Sequence, residues 1–334
     1  MFFIKKVLIL FGGNSSEHYI SCLSCKSIIQ HIDKKKFKFE VAGIDFDNTW
    51  YKFKDDLIYL ENRNWLEANV LKIDNVINYL KAFDVVFPIT HGTFGEDGKL
   101  QGLLDAFNIK YVGCKMLSSA ICMDKVLSKI LFDKLGIKQV PYITLNGKDK
   151  IDDVILDIEY PVIVKPANGG SSIGINKASN KKELIKAIKD AKRYDDKIII
   201  EKFIKARELE IAVLENKNNI ICSMPGEIKS SNEFYDYEAK YVSDSSYTTI
   251  PGDLPENIVK TIKDYALKIF KKLNLKGYAR IDFFYDEEKE EIYINEVNTI
   301  PGFTSISMYP KLIENEGINY TDLITILINN ALNK

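Results

Sequence analysis

Residues 277–298 read GYARIDFFYDEEKEEIYINEVN, two strand-like stretches separated by a charged turn at 286–290. Side chains alternate between the two faces of a strand. Arg280 and Asp282 therefore share one face of the first stretch. Glu296 and Asn298 share one face of the second. A hairpin would join these faces, and two carboxylates with an amide oxygen form a ligand set suited to Mg²⁺. A surface salt-bridge cluster is the alternative, but it does not explain Asn298.

Composition excludes several classes of partner. Hydrophobic residues make up 46% and charged residues 28% of the 334-residue chain, which is typical of a globular protein. A net charge of −1 gives no bulk attraction to nucleic acid or to an acidic membrane surface, so we expect neither partner. The apolar run near the amino terminus is too short for a signal peptide, and no stretch approaches the roughly 18 apolar residues of a membrane span. We therefore expect a cytoplasmic protein.

The cysteine pattern argues against a disulfide framework, because the chain is long and its five cysteines are an odd number. Cys22 and Cys25 form a C-x-x-C pair, but no second pair completes a zinc site. A redox role is one interpretation. We favour the other, two small buried residues on one helix.

The first third of the chain alternates strand and helix signals, which predicts an open, mostly parallel α/β sheet. The predicted strands are Val7–Phe11, Phe37–Ile44 and Val85–Ile89. A helix should follow the first strand, with caps offered by Asn14, Ser15 and Ser16. This domain should span residues 1–114.

The rest of the chain predicts two further α+β domains, at residues 115–204 and 205–334. The middle domain should contain two helices and two strands, at Ser118–Leu135, Lys181–Lys192, Pro161–Lys165 and Ile198–Phe203. The last should contain a strand at Leu209–Leu214, a helix at Pro255–Leu273 and the hairpin. Residues 226–251 are rich in Ser, Tyr and Asp with little periodicity, and we interpret them as a lid.

A glycine- and serine-rich turn, PANGGSSIG at 166–174, follows a strand that ends in Lys165. Glycine backbone N–H groups can approach phosphate oxygens closely, and lysine adds a point charge. The Walker pattern G-x-x-x-x-G-K-[ST] is absent, so a plain hairpin turn is an equal alternative for this segment alone. Lys125 nearby favours phosphate binding.

His91 opens the segment HGTFGEDG at 91–98, directly after a predicted parallel strand. Ligands bind at the carboxyl ends of strands in open α/β sheets. A lone histidine is more often structural, but the flanking glycines favour a functional role.

Together these segments resemble the ATP-grasp superfamily and, within it, the D-alanine–D-alanine ligase family, from Val7 to about Leu332. The motifs that carry the resemblance are GGNSSE (12–17), HGTFGEDGKLQG (91–102), MDK (123–125), VKP (164–166), GSSIG (170–174), FYDYEAKY (234–241), RID (280–282) and NEVNTIPGFTS (295–305).

The resemblance implies a three-domain ATP-grasp fold and a reaction. Two D-alanine molecules would be joined to D-alanyl-D-alanine through a D-alanyl phosphate intermediate, for peptidoglycan precursor synthesis. The cofactors would be ATP and two Mg²⁺ ions, which Mn²⁺ can replace. A homodimer through the first domain is also implied.

The resemblance further implies roles at the amino-acid substrates. Glu17 would hold the ammonium of the first D-alanine, in a network with Ser171 and Tyr241. Arg280 and the Gly302 N–H would stabilise the oxyanion of the tetrahedral intermediate. Ser307 would contact the second substrate's carboxylate, and His91 would lie near the acyl phosphate.

Other residues would bind ATP and metal. Lys125 and Lys165 would hold phosphates, and Lys240 would reach the γ-phosphate from the lid. The adenine pocket would be lined by Glu201, Phe203 and Ile204. Glu208 would bind the ribose, and Asn295 would be a further nucleotide contact. Asp282, Glu296 and Asn298 would bind the Mg²⁺ ions.

Two rival functions stay open. Related vancomycin-resistance ligases load D-serine or D-lactate. The D-serine enzymes tend to carry arginine at Met308, and the D-lactate enzymes replace Tyr241, so this chain favours D-alanine. A non-catalytic nucleotide-binding protein of the same fold would lose Arg280, Asp282, Glu296 or Asn298, and all four are present.

Overall fold

The computed structural model of the protein describes residues 4–54, 56–147, 149, 159–229 and 247–333. The strands in these residues are β1 Lys5–Gly12, β2 Phe37–Ile44, β3 Trp50–Phe53, β4 Val70–Lys72, β5 Val85–Pro88, β6 Tyr142–Leu145, β7 Val162–Pro166, β8 Asn176–Ala178, β9 Ile198–Lys202, β10 Arg207–Asn216, β11 Asn219–Cys222, β12 Gly226–Lys229, β13 Tyr247–Thr249, β14 Tyr278–Asp286 and β15 Glu291–Asn298. The helices are α1 His18–His31, α2 Ile58–Glu61, α3 Val76–Leu80, α4 Lys99–Ala106, α5 Met116–Met123, α6 Lys125–Lys134, α7 Lys181–Ala191, α8 Glu256–Lys272, α9 Met308–Asn315 and α10 Tyr320–Leu332. Among them, none has both the length and the apolar character needed to cross a bilayer.

The first sheet has the strand order β4-β3-β2-β1-β5. Its three parallel strands, β2, β1 and β5, are those the sequence predicted. From Val7 onward β1 is buried, as expected of a strand covered on both faces. The two antiparallel edge strands, β3 and β4, were not predicted, because four and three residues are too short to show a periodicity.

Two helix predictions are wrong in detail. Helix α1 has Glu17 at its N-cap position rather than Asn14, Ser15 or Ser16, and the Ser15 Oγ accepts the Glu17 N–H at 3.0 Å. The single helix predicted over Ser118–Leu135 is two helices, α5 and α6. Asp124 separates them, because its carboxylate caps α6 by accepting two backbone N–H groups, at 3.0 and 3.1 Å.

The second sheet is fully antiparallel and has the order β6-β9-β7-β8. Helix α7 packs on it through Leu184 and Ile188, whose spacing places them on one helix face. The predicted strands β7 and β9 and the predicted helix are confirmed. The sheet carries Lys165 and Glu201 on adjacent strands.

The third sheet has six strands, and β14 and β15 form the hairpin that the sequence predicted. Its register pairs Arg280 with Asn298 and Asp282 with Glu296. Irregular structure was expected throughout residues 226–251, and this is wrong at both ends. There β12 and β13 pair with each other, although each is too short to show a pattern. Residues 230–246 lie outside the described residues.

The largest hydrophobic core joins the beginning and the end of the chain. It contains Phe11 and Phe87 from the first sheet, and Phe303, Tyr309 and Leu327 from the carboxyl-terminal segment. Helix α10 contacts α1, β5 and β10. The loop between β15 and α9 is therefore held against the carboxyl ends of β1 and β5.

Candidate active site

Two cavities meet in the middle of the molecule. The larger, of about 690 Å³, lies between the second and third sheets. The smaller, of about 120 Å³, lies between the carboxyl ends of β1 and β5 and the third sheet. The residues that line both form a shared wall, which consists of Lys125, Gly169, Gly170, Ser171 and Glu296.

The polar face of the hairpin borders the smaller cavity. Arg280 donates two hydrogen bonds to the Asp282 carboxylate, both at 2.8 Å, and its Nε lies 3.0 Å from Glu210 Oε2. Asn298 donates to Asp282 Oδ2 at 2.9 Å. Burial by itself would lower the pKa of Arg280, but the two carboxylates raise it well above its usual value. The guanidinium therefore stays charged beside the cavity.

The predicted metal ligands fit a hard cation. Asp282 and Glu296 face each other across the hairpin, and Asn298 bonds to Asp282. Glu296 Oε2 lies 3.6 Å from Lys125 Nζ. Within the described ranges, no group of three or more His, Cys, Asp or Glu side chains is arranged to hold a metal. Two carboxylates and an amide leave ligand positions for phosphate oxygens and water, which is how Mg²⁺ is usually bound in nucleotide enzymes.

A buried cluster of charges supports the larger cavity. Glu201 lies between two lysines, with Lys165 Nζ and Lys129 Nζ each 2.7 Å from its carboxylate oxygens. Burial by itself would raise the pKa of Glu201, but the two lysines lower it to about 2. Lys129 was not predicted. Its spacing of four residues from Lys125 on one helix was the available signal, since such residues share a helix face.

The other predicted nucleotide residues also line the larger cavity. They are Phe203, Ile204, Glu208 and Asn295. Lys177 Nζ lies 4.0 Å from the centroid of the Phe203 ring, within the range of a cation–π contact. Lys125 Nζ donates to the Gly169 carbonyl at 2.7 Å, which ties α6 to the glycine-serine turn.

The glycine-serine turn contacts the Glu17 side chain. Ser171 has a left-handed φ of 53°, and its hydroxyl donates to Glu17 Oε1 at 2.6 Å. A Cβ atom on Gly170 would lie 2.5 Å from Glu17 Oε2, so any side chain there would displace the Glu17 carboxylate. The predicted contact between Glu17 and Ser171 is confirmed. Lys240 and Tyr241, predicted to complete this network and the phosphate site, lie outside the described residues.

His91 is buried between α1 and the segment that follows β15. Its Nδ1 lies 2.9 Å from the Ile300 carbonyl and its Nε2 lies 2.9 Å from Ser24 Oγ. Burial lowers the pKa of His91 to about 4, and the charge of Arg280 acts in the same direction, against a raising contribution from the Ile300 carbonyl. The ring is therefore neutral at pH 7.

Glu96 belongs to the site and was not singled out from the sequence, although it lies within the HGTFGEDG segment. It lines the smaller cavity, is partly buried, and accepts N–H groups from Gly92, at 3.0 Å, and Ile300, at 3.3 Å. Burial and the nearby Glu17 carboxylate raise its pKa. Two carboxylates thus share one small cavity, which favours a cationic group between them.

Gly302 and Ser307 line the far side of the smaller cavity. Ser307 Oγ accepts the Thr304 N–H at 3.0 Å and lies 2.8 Å from Thr304 Oγ1. A Cβ atom on Gly302 would lie 2.7 Å from Ser307 Oγ. The predicted substrate residues in the described ranges therefore surround one cavity.

Cys22 and Cys25 are free thiols inside α1, as the favoured interpretation predicted. Burial raises the pKa of Cys22 to about 12, and that of Cys25 well above its usual value. Neither thiol is activated as a nucleophile.

Comparisons with known proteins agree with this geometry. Residues 6–114 match the family model described as D-ala D-ala ligase N-terminus, and residues 131–329 match the one described as D-ala D-ala ligase C-terminus. A D-alanine–D-alanine ligase of Acetivibrio thermocellus is 44% identical, covering 99% of this chain and 96% of that protein.

Solved structures that are similar over nearly the whole chain include two ligases. The D-alanine–D-alanine ligase of Coxiella burnetii is 35% identical with a TM-score of 0.86, covering 98% of this chain and 94% of the other. VanG, a D-Ala:D-Ser ligase of Enterococcus faecalis, is 34% identical with a TM-score of 0.87, covering 98% and 99%. The predicted ATP-grasp fold and ligase class are thereby confirmed, and the chain belongs to the D-alanine–D-alanine ligase family.

Proposed function

We propose that this chain uses ATP to convert the carboxylate of one D-alanine into an acyl phosphate, and then joins that carbonyl carbon to the amino group of a second D-alanine. The observation that carries the proposal is the shared wall. A nucleotide in the larger cavity would direct its γ-phosphate at Lys125 and Glu296, and a small amino acid in the smaller cavity would meet it there. The product, D-alanyl-D-alanine, would enter peptidoglycan precursor synthesis.

In the first step, an oxygen of the D-alanine carboxylate attacks the γ-phosphorus, and ADP leaves. Lys125 and Lys165 provide positive charge along the phosphates, and Glu201 holds Lys165 in place. Asp282, Glu296 and Asn298 would hold Mg²⁺, which when bound offsets the negative charge that builds up on the transferring group.

The amino group of the first D-alanine has a matching partner in Glu17. The Glu17 carboxylate is held by the Ser171 hydroxyl at the shared wall. An ammonium beside Glu17 and Glu96 would be favoured by both carboxylates. This orientation leaves the substrate carboxylate free to face Lys125 and Glu296.

In the second step, the amine of the second D-alanine attacks the carbonyl carbon, and inorganic phosphate leaves. Arg280 and the Gly302 N–H border the smaller cavity and would stabilise the tetrahedral oxyanion. One such preorganised donor typically contributes about 3 kcal/mol. Ser307 would bind the carboxylate of the second substrate.

Further features are proposed on the resemblance to the family. They are two Mg²⁺ ions replaceable by Mn²⁺, a homodimer, a cytoplasmic location where ATP is available, and closure by a lid that brings Lys240 and Tyr241 to the phosphates. The three domains would be residues 1–114, 115–204 and 205–334.

A second candidate is ligation of D-alanine to D-serine. It is suggested by the similarity to VanG over nearly the whole chain. Met308 lines the smaller cavity beside Ser307 and offers an apolar surface, which suits the methyl group of D-alanine better than a hydroxymethyl group.

Phosphate release and dipeptide formation test the proposal. Purified protein with ATP and Mg²⁺ should release phosphate only when D-alanine is added, and should form D-alanyl-D-alanine. A mixed dipeptide made in preference from D-alanine plus D-serine would favour the second candidate. ATP binding without any D-alanine-dependent phosphate would instead support a non-catalytic protein.

A further inference from the structure

Ser24 is a fully buried hydroxyl on α1, about two turns after Glu17. Its Oγ lies 2.9 Å from His91 Nε2 and 3.2 Å from the backbone nitrogen of Phe303. Ser24 thus connects α1 to the loop after β5 and to the loop after β15. None of the roles assigned so far uses it.

The hydrogen-bond chemistry of this cluster allows one arrangement of protons. A carbonyl oxygen only accepts, so His91 Nδ1 must carry the proton that bonds to the Ile300 carbonyl. Because the ring is neutral, His91 Nε2 is then an acceptor, and the Ser24 O–H must donate to it. The Ser24 oxygen in turn accepts the Phe303 N–H.

The chain of bonds begins and ends on the same short loop. From Phe303 it runs through Ser24 and His91 back to Ile300, so it closes a ring around residues 300–303. Two other side chains hold the same stretch: Glu96 accepts the Ile300 N–H, and the Tyr320 hydroxyl donates to the Phe303 carbonyl. This stretch contains Gly302.

We propose that Ser24 is a positioning residue for the ligation step: by donating to His91 Nε2 it supports the Nδ1–H tautomer that the Ile300 carbonyl requires, and through His91 and the Phe303 N–H it holds the Gly302 amide where the oxyanion forms. The inference rests on the proposed function, because it takes the Gly302 N–H as an oxyanion donor. It also gives His91 the role of holding the loop at residues 300–303 in place, since both ring nitrogens are already hydrogen-bonded to Ser24 and Ile300.

Kinetics of Ser24→Ala provide the first test. The matched control is Cys25→Ala, which removes one heavy atom from the next buried residue of the same helix. We expect kcat of Ser24→Ala to fall by about ten- to hundredfold, because a misplacement of about 1 Å can have that effect. The KM for ATP should stay within about twofold of wild type, and Cys25→Ala should keep kcat within the same margin. Equal kcat values for the two variants would overturn the proposal.

Imidazole ¹⁵N NMR provides a second test that needs no turnover. The chain has only three histidines, so the His91 signals can be assigned with His91→Gln. Wild type should show Nδ1 protonated and Nε2 as a hydrogen-bonded acceptor at pH 7, and the Nε2 resonance should move downfield in Ser24→Ala as its donor is lost. A protonated Nε2 in wild type would overturn the tautomer assignment.

The two tests separate the inference from the proposed function. Protein that shows the expected tautomer but forms no D-alanyl-D-alanine would contradict the proposed function, and would leave only the hydrogen-bond arrangement around Ser24 standing. Protein that forms the dipeptide, but whose kcat is the same in Ser24→Ala as in Cys25→Ala, would contradict the inference alone.

Discussion

The two cavities are built by different means. The larger cavity is shaped by strands of two sheets, and its lysines are held by charge, above all by Glu201 between Lys129 and Lys165. The smaller cavity is enclosed by loops on the side opposite the third sheet, and there hydrogen bonds to backbone N–H and C=O groups hold the side chains, as Glu96 and His91 show. The larger cavity is suited to bind a charged ligand, and the smaller one to hold reacting atoms in a fixed geometry.

This difference makes the kinetic effects of substitutions separable. Changes in the larger cavity should act mainly on the KM for ATP and on stability. Changes in the smaller cavity should act mainly on kcat. Residues of the shared wall, such as Lys125 and Glu296, border both cavities and should affect both quantities.

The largest effect is expected for Glu296→Gln. The substitution keeps the size of the side chain but removes a negative charge from the proposed metal site, so kcat should fall by about a thousandfold. Thermal unfolding should change little, because a quarter of the side chain is exposed. The measurement is D-alanine-dependent phosphate release at saturating ATP and Mg²⁺.

The control for that variant lies on the same strand. Glu291→Gln also removes a carboxylate from β15, but Glu291 pairs with Lys138 at the other end of the hairpin, outside both cavities. It should keep wild-type turnover. Equal activity in the two variants would mean that Glu296 takes no part in catalysis. The shared wall would then not differ in function from the rest of β15.

The same contrast explains how much could be predicted from the sequence. Strand alternation placed Arg280 and Asp282 on one face, and the hairpin then brought Glu296 opposite Asp282, as observed. The strands around the larger cavity, β7 and β9, were also predicted, because their apolar runs are long enough to show a pattern.

The loop side of the smaller cavity was beyond such reasoning. Ser24 bonds to His91 across 67 residues, and His91 bonds to the Ile300 carbonyl across 209. A backbone carbonyl is present at every residue, so its use as an acceptor leaves no mark in the sequence. The family motifs identified His91, but not its partners. Glu96 was missed for the same reason, since it bonds to two backbone N–H groups.

An intermediate effect, on stability rather than turnover, is expected for Glu201→Gln. The pKa of Glu201 is about 2 in the folded protein, against an ordinary value of 4.5. Its ionised form therefore stabilises the fold above pH 4.5, and this contribution is lost as the pH falls from there towards 2. At pH 7 the free energy of unfolding of the variant should be about 3 kcal/mol lower than that of wild type, because two buried lysines lose their partner.

Urea unfolding between pH 7 and pH 3.5 measures this effect. The difference between wild type and Glu201→Gln should be largest at pH 7 and should shrink below pH 4.5. Glu159→Gln is the matched control, since Glu159 also lies 2.6 Å from a lysine but is exposed. A difference that did not depend on pH would show that Glu201 contributes through packing rather than through its charge.

The smallest effect is expected at the apolar end of the larger cavity. Lys177 lies over the Phe203 ring, and both line the cavity where the adenine is proposed to bind. Lys177→Met should raise the KM for ATP by about two- to fivefold, equivalent to the roughly 0.5–1 kcal/mol of an exposed cation–π contact. Because Lys177 is absent from the smaller cavity, kcat should not change. Lys177→Arg keeps the cation and should restore the KM for ATP. A fall in kcat without a rise in the KM for ATP would mean that a change in the larger cavity alters the reaction in the smaller one. It would contradict the separation of the two kinetic effects.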